Sequence, residues 1–241
     1  MRGEFEVIRV ENVEKRYQEV VALNGVSLTV PRGELFGLLG VNGAGKTTLV
    51  KILSGLARAD KGNVQILGRT QEEAQNKIAI SPQETSVALN LTVEENLRFF
   101  AQVYGLSKRE TEETIARLSA EFSLDDVLTR KAKELSGGYQ RRLSIAIALV
   151  SSPEVLFLDE PTLGLDVLAR RELWSLIRRL KGETTVFMTT HYMEEAEALC
   201  DRVAIMKEGK VIAVGTPTQL KEKTGKNTLE EAFIFLVGGG A

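Results

Sequence analysis

The sequence predicts an α/β fold: a mostly parallel sheet covered by helices on both faces, with a helical lobe inserted midway along the chain. Three observations carry this. Leu35 to Leu39 and Val155 to Leu158 are continuous apolar runs, as in strands buried on both faces. After Ser136, helix-like and strand-like segments alternate, which argues for parallel pairing through helical crossovers. Between the two apolar runs, Thr92 to Glu134 keeps a helical spacing of its apolar residues. A chain of 241 residues fits one large domain, or a domain with a lobe set into it, at roughly 150 residues per domain.

The first part reads as strands. Phe5 to Val10, Val20 to Val30 and Gly62 to Leu67 are rich in Val, Ile and Leu and bounded by turn-forming residues. Gly33 marks the turn before Leu35 to Leu39. A glycine-rich turn follows, and Thr47 to Leu56 reads as a helix. In the lobe, Thr92 is an N-cap with Glu95 completing a capping box, and Gly105 ends that helix. Lys108 to Phe122 is a second helix with Ile115, Leu118 and Phe122 on one stripe. Tyr139 to Val150 is a helix with an apolar end. Val155 to Leu158 is a strand, Leu168 to Leu180 a helix, Thr185 to Thr189 a strand and Met193 to Cys200 a helix. Val203 to Met206 and Lys210 to Val214 form a hairpin around Glu208-Gly209. Thr228 to Val237 is a short helix with Leu229, Phe233 and Leu236 on one side, and Gly238-Gly239-Gly240 reads as a frayed end or a truncation scar.

Composition narrows the function classes. Hydrophobic residues are 43% and charged residues 27%, which excludes a disordered or collagenous chain. The net charge of −2 gives no support to nucleic-acid binding, whose usual footprint is a strongly basic face. Cys200 is the sole cysteine, so no internal disulfide framework exists. A membrane-spanning helix needs about 20 mostly apolar residues, and the longest apolar stretches are far shorter. Met1 to Val10 is too charged for a signal peptide. The expectation is a cytoplasmic protein.

Gly40-Val41-Asn42-Gly43-Ala44-Gly45-Lys46-Thr47 fits the P-loop pattern at every fixed position, between a buried strand and a helix. Glycines let consecutive backbone N–H groups converge on phosphate oxygens, and the helix adds its positive N-terminal end. Lys46 can reach the β- and γ-phosphates, and the Thr47 hydroxyl can ligate Mg²⁺. The run Val155 to Leu158 delivers Asp159 and Glu160 at a strand's C-terminal end, where α/β sheets bind ligands. Asp159 would face the metal, directly or through water, and Glu160 the attacking water. Leu135-Ser136-Gly137-Gly138-Tyr139-Gln140 lies 90 residues beyond Lys46 and 23 before Asp159, counted from Ser136. Ser136-Gly137-Gly138 is either a plain helix cap or a second anion nest, and a second nest would serve another molecule's nucleotide.

With these pieces in place the chain resembles, over roughly residues 5 to 220, the nucleotide-binding subunits of ATP-binding-cassette (ABC) transporters. Leu135 to Gln140 looks like the family's signature motif. The resemblance implies a P-loop NTPase (RecA-like) core, an N-terminal antiparallel β-subdomain and an inserted helical subdomain. Residues 1–82 and 150–220 would be the β-subdomain and core, 83–149 the lobe with its signature motif, and 221–241 a short C-terminal helix and tail. It implies further site residues. Tyr17 would stack on adenine, and the loop through Thr48 would hold the phosphates. Gln83 would contact Mg²⁺ and water. Leu163-Gly164-Leu165-Asp166 would cross to the partner subunit, and Asp166 would join the nucleotide site. His191, the only histidine and 31 residues after Glu160, would touch the γ-phosphate. Departures are small: Val41 stands where proline is common, Leu163 where a small residue is usual, and Tyr139 follows the double glycine.

The resemblance implies an ATPase, with ATP and Mg²⁺ as its ligands. Two chains, identical or sister subunits, would pack head to tail around two ATP molecules, each between one P-loop and the other chain's Ser136-Gly137-Gly138. Thr47, Gln83 and Asp159 would hold Mg²⁺, and Lys46, Gln83, Glu160 and His191 would serve catalysis. A permease on a separate chain would be the partner, at the cytoplasmic face of the membrane. The segment from Thr190 to Glu197, with Gly215-Thr216-Pro217, resembles the drug, antibiotic, sodium and polysaccharide exporter branch, and too few residues follow for an importer's regulatory domain. Val87, Leu89 and Leu91 suggest where the permease docks, with the face of Phe99 and Tyr104 as the other choice. Two other readings compete. A soluble ABC ATPase of DNA or translation processes would carry long insertions or a second cassette. A non-catalytic ATP switch would lack Glu160 or His191.

Overall fold

A computed structural model describes residues 6–239. In chain order the elements are β1 (Glu6–Tyr17), β2 (Val20–Pro31), β3 (Leu35–Gly40), α1 (Lys46–Leu53), β4 (Lys61–Ile66), α2 (Gln71–Ala74), β5 (Ile78–Ser81), α3 (Val93–Val103) and α4 (Lys108–Glu121). They continue with α5 (Gly137–Ala148), β6 (Val155–Asp159), α6 (Val167–Arg179), β7 (Thr185–Thr190), α7 (Met193–Leu199), β8 (Arg202–Lys207), β9 (Lys210–Gly215), α8 (Pro217–Thr224) and α9 (Leu229–Gly238).

Two sheets form. β2-β1-β4 is antiparallel, and β5-β6-β7-β3-β8-β9 is parallel except for the β8–β9 hairpin. The central strands β3, β6 and β7 are buried at every residue, which is why β3 and β6 read as unbroken apolar runs rather than alternating ones. Phe187 on β7 stacks on Phe36 at 5.4 Å and lies 5.9 Å from Phe157, joining three neighbouring strands through their rings. Such pairs contribute about 0.5–1.5 kcal/mol each beyond simple burial. The order places the C-terminal ends of β3, β6 and β7 side by side, and the P-loop, Asp159-Glu160 and His191 leave the sheet there.

The lobe's helices begin as their caps require. Thr92 and Ser107 each accept the N–H of the residue three further on, Glu95 and Glu110, and both boxes close. Leu97, Leu118, Phe122 and Leu143 bury the facing stripes of α3, α4 and α5. Asn96 is fully buried in α3, and its amide is satisfied by Ala88, Leu91 and Thr92, so it ties residues 88–92 to the lobe.

Several boundaries differ from expectation. β1 does not stop at Val10 but runs to Tyr17, with register shifts after Val10 and Val13 and Asn12 at φ 48°. The polar run Glu11 to Arg16 hid this, because these residues face solvent on either side of buried Val13. Phe5 of the expected strand lies outside the described residues, as do Gly240 and Ala241. The first helix ends at Leu53, because the chain turns at Gly55, leaving Leu56 exposed. The signature helix starts at Gly137 and ends at Ala148, two residues earlier at each end than expected. β5 and α8 were not anticipated. Only four residues long, β5 is too short to show a period, and α8 is signalled by the capping box Thr216/Gln219 with Pro217 at its first turn.

Candidate nucleotide-binding site

Between β3 and α1 the loop is sterically tight. Gly45 sits at φ 104°, and a Cβ there would lie 2.4 Å from the carbonyl oxygen of Ala22, so only glycine fits. Lys46 is 6% exposed. Its Nζ donates to the Gly40 carbonyl at 2.8 Å and lies 3.4 Å from Glu160 Oε1. The ammonium therefore stands between the loop and the β6 end.

Asp159 and Glu160 follow from β6. Asp159 is buried, and its Oδ1 accepts from the Thr189 hydroxyl at 2.5 Å and lies 3.5 Å from Thr47 Oγ1. Glu160 is 7% exposed and takes the left-handed conformation, φ 49°, unusual for a non-glycine residue. Such backbone is retained only where its surroundings hold it. Here the Glu160 N–H donates to the Thr189 hydroxyl at 3.0 Å. Its Oε2 is 2.7 Å from His191 Nδ1. The bent backbone thus turns the carboxylate away from the strand line toward His191 and Lys46. Behind them Glu195 of α7 is fully buried, and burial pushes its carboxyl pKa up while the Trp174 indole donates to it at 3.0 Å.

One cleft of about 250 Å³ brings Asn42 to Thr48, Gln83 and Glu160 together, with Val20, Val21 and Ala22 as its other wall. Tyr17 pairs with Val20 at the end of the β1–β2 hairpin and is half-exposed, beside that wall. His191 joins through Glu160. Gly40 ends β3 beneath the loop, and Val41 is exposed at its start.

Ser136, Gly137, Gly138 and Asp166 stand outside this cleft. Ser136 caps α5, with the Tyr139 N–H 3.5 Å from its hydroxyl, and both Ser136 and Gly137 are exposed. Gly138 has a packing reason of its own, because a Cβ there would come 3.1 Å from the Ala169 Cβ of α6. Asp166 caps α6, accepting from Leu168 and Ala169 at 2.9 and 3.0 Å. These are helix caps within the chain. Sequence reasoning missed Thr189, one of three threonines in the buried strand β7 and so without a signal of its own. It also missed Arg141, which sits between Gln140 and Arg142 in a polar stretch and so gives no sign of burial in the sequence.

A phosphate-cradling loop between a buried strand and a helix, with two carboxylates and a histidine from neighbouring strand ends, defines a P-loop nucleotide-binding protein of α/β type. The family model of the ABC transporter matches residues 23–163, and the chain belongs to that family. It is 43% identical over 242 residues to the probable multidrug ABC transporter ATP-binding protein YbhF of Escherichia coli (strain K12), covering 96% of this chain and 42% of that one. It is 44% identical over 220 residues to the Nod factor export ATP-binding protein I of Burkholderia orbicola (strain AU 1054), covering 89% of this chain and 72% of that one. A solved structure of the ATP-binding subunit of an ABC transporter matches with TM-score 0.84 and 31% identity, over 95% of this chain and 99% of that one.

Proposed function

We propose that this chain binds and hydrolyses ATP to power a permease on a separate polypeptide, most plainly an exporter. The observation that carries the reading is the single cleft holding the P-loop, Gln83 and Glu160. Among the described residues no helix is long and apolar enough to cross a membrane. We assign the membrane spans to another polypeptide, with this chain working on the cytoplasmic face beside it. Export is favoured by the relatives, since one is named for multidrug transport and another for Nod factor export.

Thr47 and Asp159 offer oxygen donors close together at the loop's mouth, a hard set that suits Mg²⁺, and Gln83, lining the same cleft, supplies a third. Bound there, Mg²⁺ would neutralise charge on the β- and γ-phosphate oxygens. The Asn42 to Thr48 backbone and Lys46 hold the phosphates, while Tyr17 stacks on the base. Glu160 orients water toward the γ-phosphate, and His191 holds the Glu160 carboxylate in place. Hydrolysis of this kind is driven by positioning and charge stabilisation. Ser136-Gly137-Gly138 and Asp166 stand apart from their own chain's cleft and are assigned to the nucleotide of a second cassette in a head-to-tail dimer. The purified full chain is expected to release phosphate from ATP with Mg²⁺ and to stop when EDTA is added. ATP binding without phosphate release at any Mg²⁺ concentration would instead favour a non-catalytic switch.

The docking expectation shifts. Val87 is half-buried and packs on the lobe's core, so a charge there would disturb folding rather than report docking. Leu89 stays 49% exposed. A groove of about 320 Å³ lies between the core and the lobe, with Ile78, Ile80 and Pro82 on one side and Phe100 and Tyr104 on the other. We assign permease docking to this groove. Tyr104 is half-exposed, so Tyr104→Glu should leave folding and ATP binding unchanged while transport and co-purification with the permease fall together. Retention of both would move the contact to Leu89 and its neighbours.

A further inference from the structure

Arg141 is 3% exposed and sits on the second turn of α5. A guanidinium carries five N–H groups in a fixed planar fork. All five point at main-chain carbonyls. Nη1 donates to Pro82 at 2.5 Å and to Gln83 at 3.2 Å. Nη2 donates to Asp159 at 2.8 Å and to Glu160 at 3.1 Å, and Nε donates to Pro161 at 2.8 Å. Five carbonyl dipoles from two distant segments therefore converge on one buried cation. Burial pushes its pKa down to about 10, so it remains charged at neutral pH.

The two segments are those that carry Gln83 and Glu160 into the nucleotide cleft. Glu160 is held at its left-handed backbone from both sides, by Thr189 at its N–H and by Arg141 at its carbonyl. A second tie reinforces the first strap, since the Ser81 and Ser144 hydroxyls meet at 3.1 Å between β5 and α5. The same helix begins at Ser136-Gly137-Gly138, five residues before Arg141 and about 7.5 Å along the axis.

We propose that Arg141 is a positioning residue that binds Gln83 and Glu160 into one unit carried by the signature helix, so that movement of this helix toward a second molecule's nucleotide and alignment of the chain's own hydrolytic groups are a single motion. The inference rests on the roles assigned to Gln83 and Glu160 above. Lysine cannot replace the arginine, because it has three donors and no planar fork. Methionine would leave all five carbonyls without their cation.

The test measures steady-state ATP hydrolysis and ATP affinity in the full chain, with Arg141→Lys, Arg141→Met and Glu160→Gln compared. Displacement of catalytic groups by about 1 Å costs on the order of 10²-fold in rate. Arg141→Lys should lower kcat by about that factor with KM and ATP affinity unchanged. In a Gln83→Ala background it should lower kcat by a smaller factor, since residues acting as a unit are not additive. Wild-type kcat per folded chain, or losses that multiply with Gln83→Ala, would overturn the inference while the site assignment stands. Wild-type turnover in Glu160→Gln would overturn both. A measurement on the unsubstituted chain covers the case of variants that do not fold. On adding the ATP analogue AMP-PNP with Mg²⁺, amide exchange should slow together in 81–86, 136–142 and 158–162. Slowing confined to one of the three segments overturns the proposal.

Discussion

Glu160→Gln should lower ATP turnover by roughly 10²–10⁴-fold, the usual contribution of a positioned acid–base group, while ATP affinity is kept. The carboxylate is 7% exposed, 2.7 Å from His191 Nδ1 and 3.4 Å from Lys46 Nζ, so the neutral amide fits the same space. Glutamine also removes a negative charge beside the γ-phosphate position, so the ATP-bound dimer should become long-lived. Phosphate release, equilibrium ATP binding and sedimentation with ATP measure the three effects. Wild-type hydrolysis in this variant would mean that another group directs the water. His191 would not be the first candidate, because in this geometry it holds the carboxylate.

Ser136→Arg in the Glu160→Gln chain should abolish ATP-dependent dimerisation and leave ATP binding to the monomer almost intact. The reason is geometric. Ser136 is exposed and lies outside the cleft that holds its own P-loop, so a large cation there obstructs a second molecule and not the chain's own nucleotide. Ser136 is also the α5 cap, and losing a cap costs about 0.5–2 kcal/mol. Ser136→Ala separates the two effects. It loses the cap without adding bulk, so it should lower the melting temperature slightly while sedimentation with ATP still shows a dimer. Loss of monomer ATP affinity in Ser136→Arg would place the serine in its own chain's pocket.

The buried centre of the fold was legible in the sequence because complete burial writes a complete apolar run. β3, β6 and β7 appear within one residue of their expected limits. The capping box at Thr92 was equally plain, since it is local in sequence. β1 was only half legible because one side of it faces water, and its pattern is broken by register shifts. The P-loop and Asp159-Glu160 were readable as contiguous strings. Thr189 and Arg141 were not, because what they do depends on atoms 30 and about 60 residues away, reached only when the sheet is assembled. The left-handed backbone of Glu160 left no trace in the sequence either, as nothing in an Asp-Glu-Pro string requires it.

The strand order has a consequence for synthesis. β3 is the sheet's inner strand, and both its neighbours, β7 and β8, come from the far end of the chain. A ribosome adding about 5–20 residues per second needs roughly 7 to 30 s to travel from the end of β3 to the start of β7. Through that interval an entirely apolar strand has emerged with no partner on either edge. The helices of the lobe, whose contacts are close in sequence, can form meanwhile, since local contacts close fastest. The phosphate loop is thus made well before it acquires its shape. A nascent chain of this protein exposes this apolar segment throughout that interval, and it is then that chaperones have the most to shield.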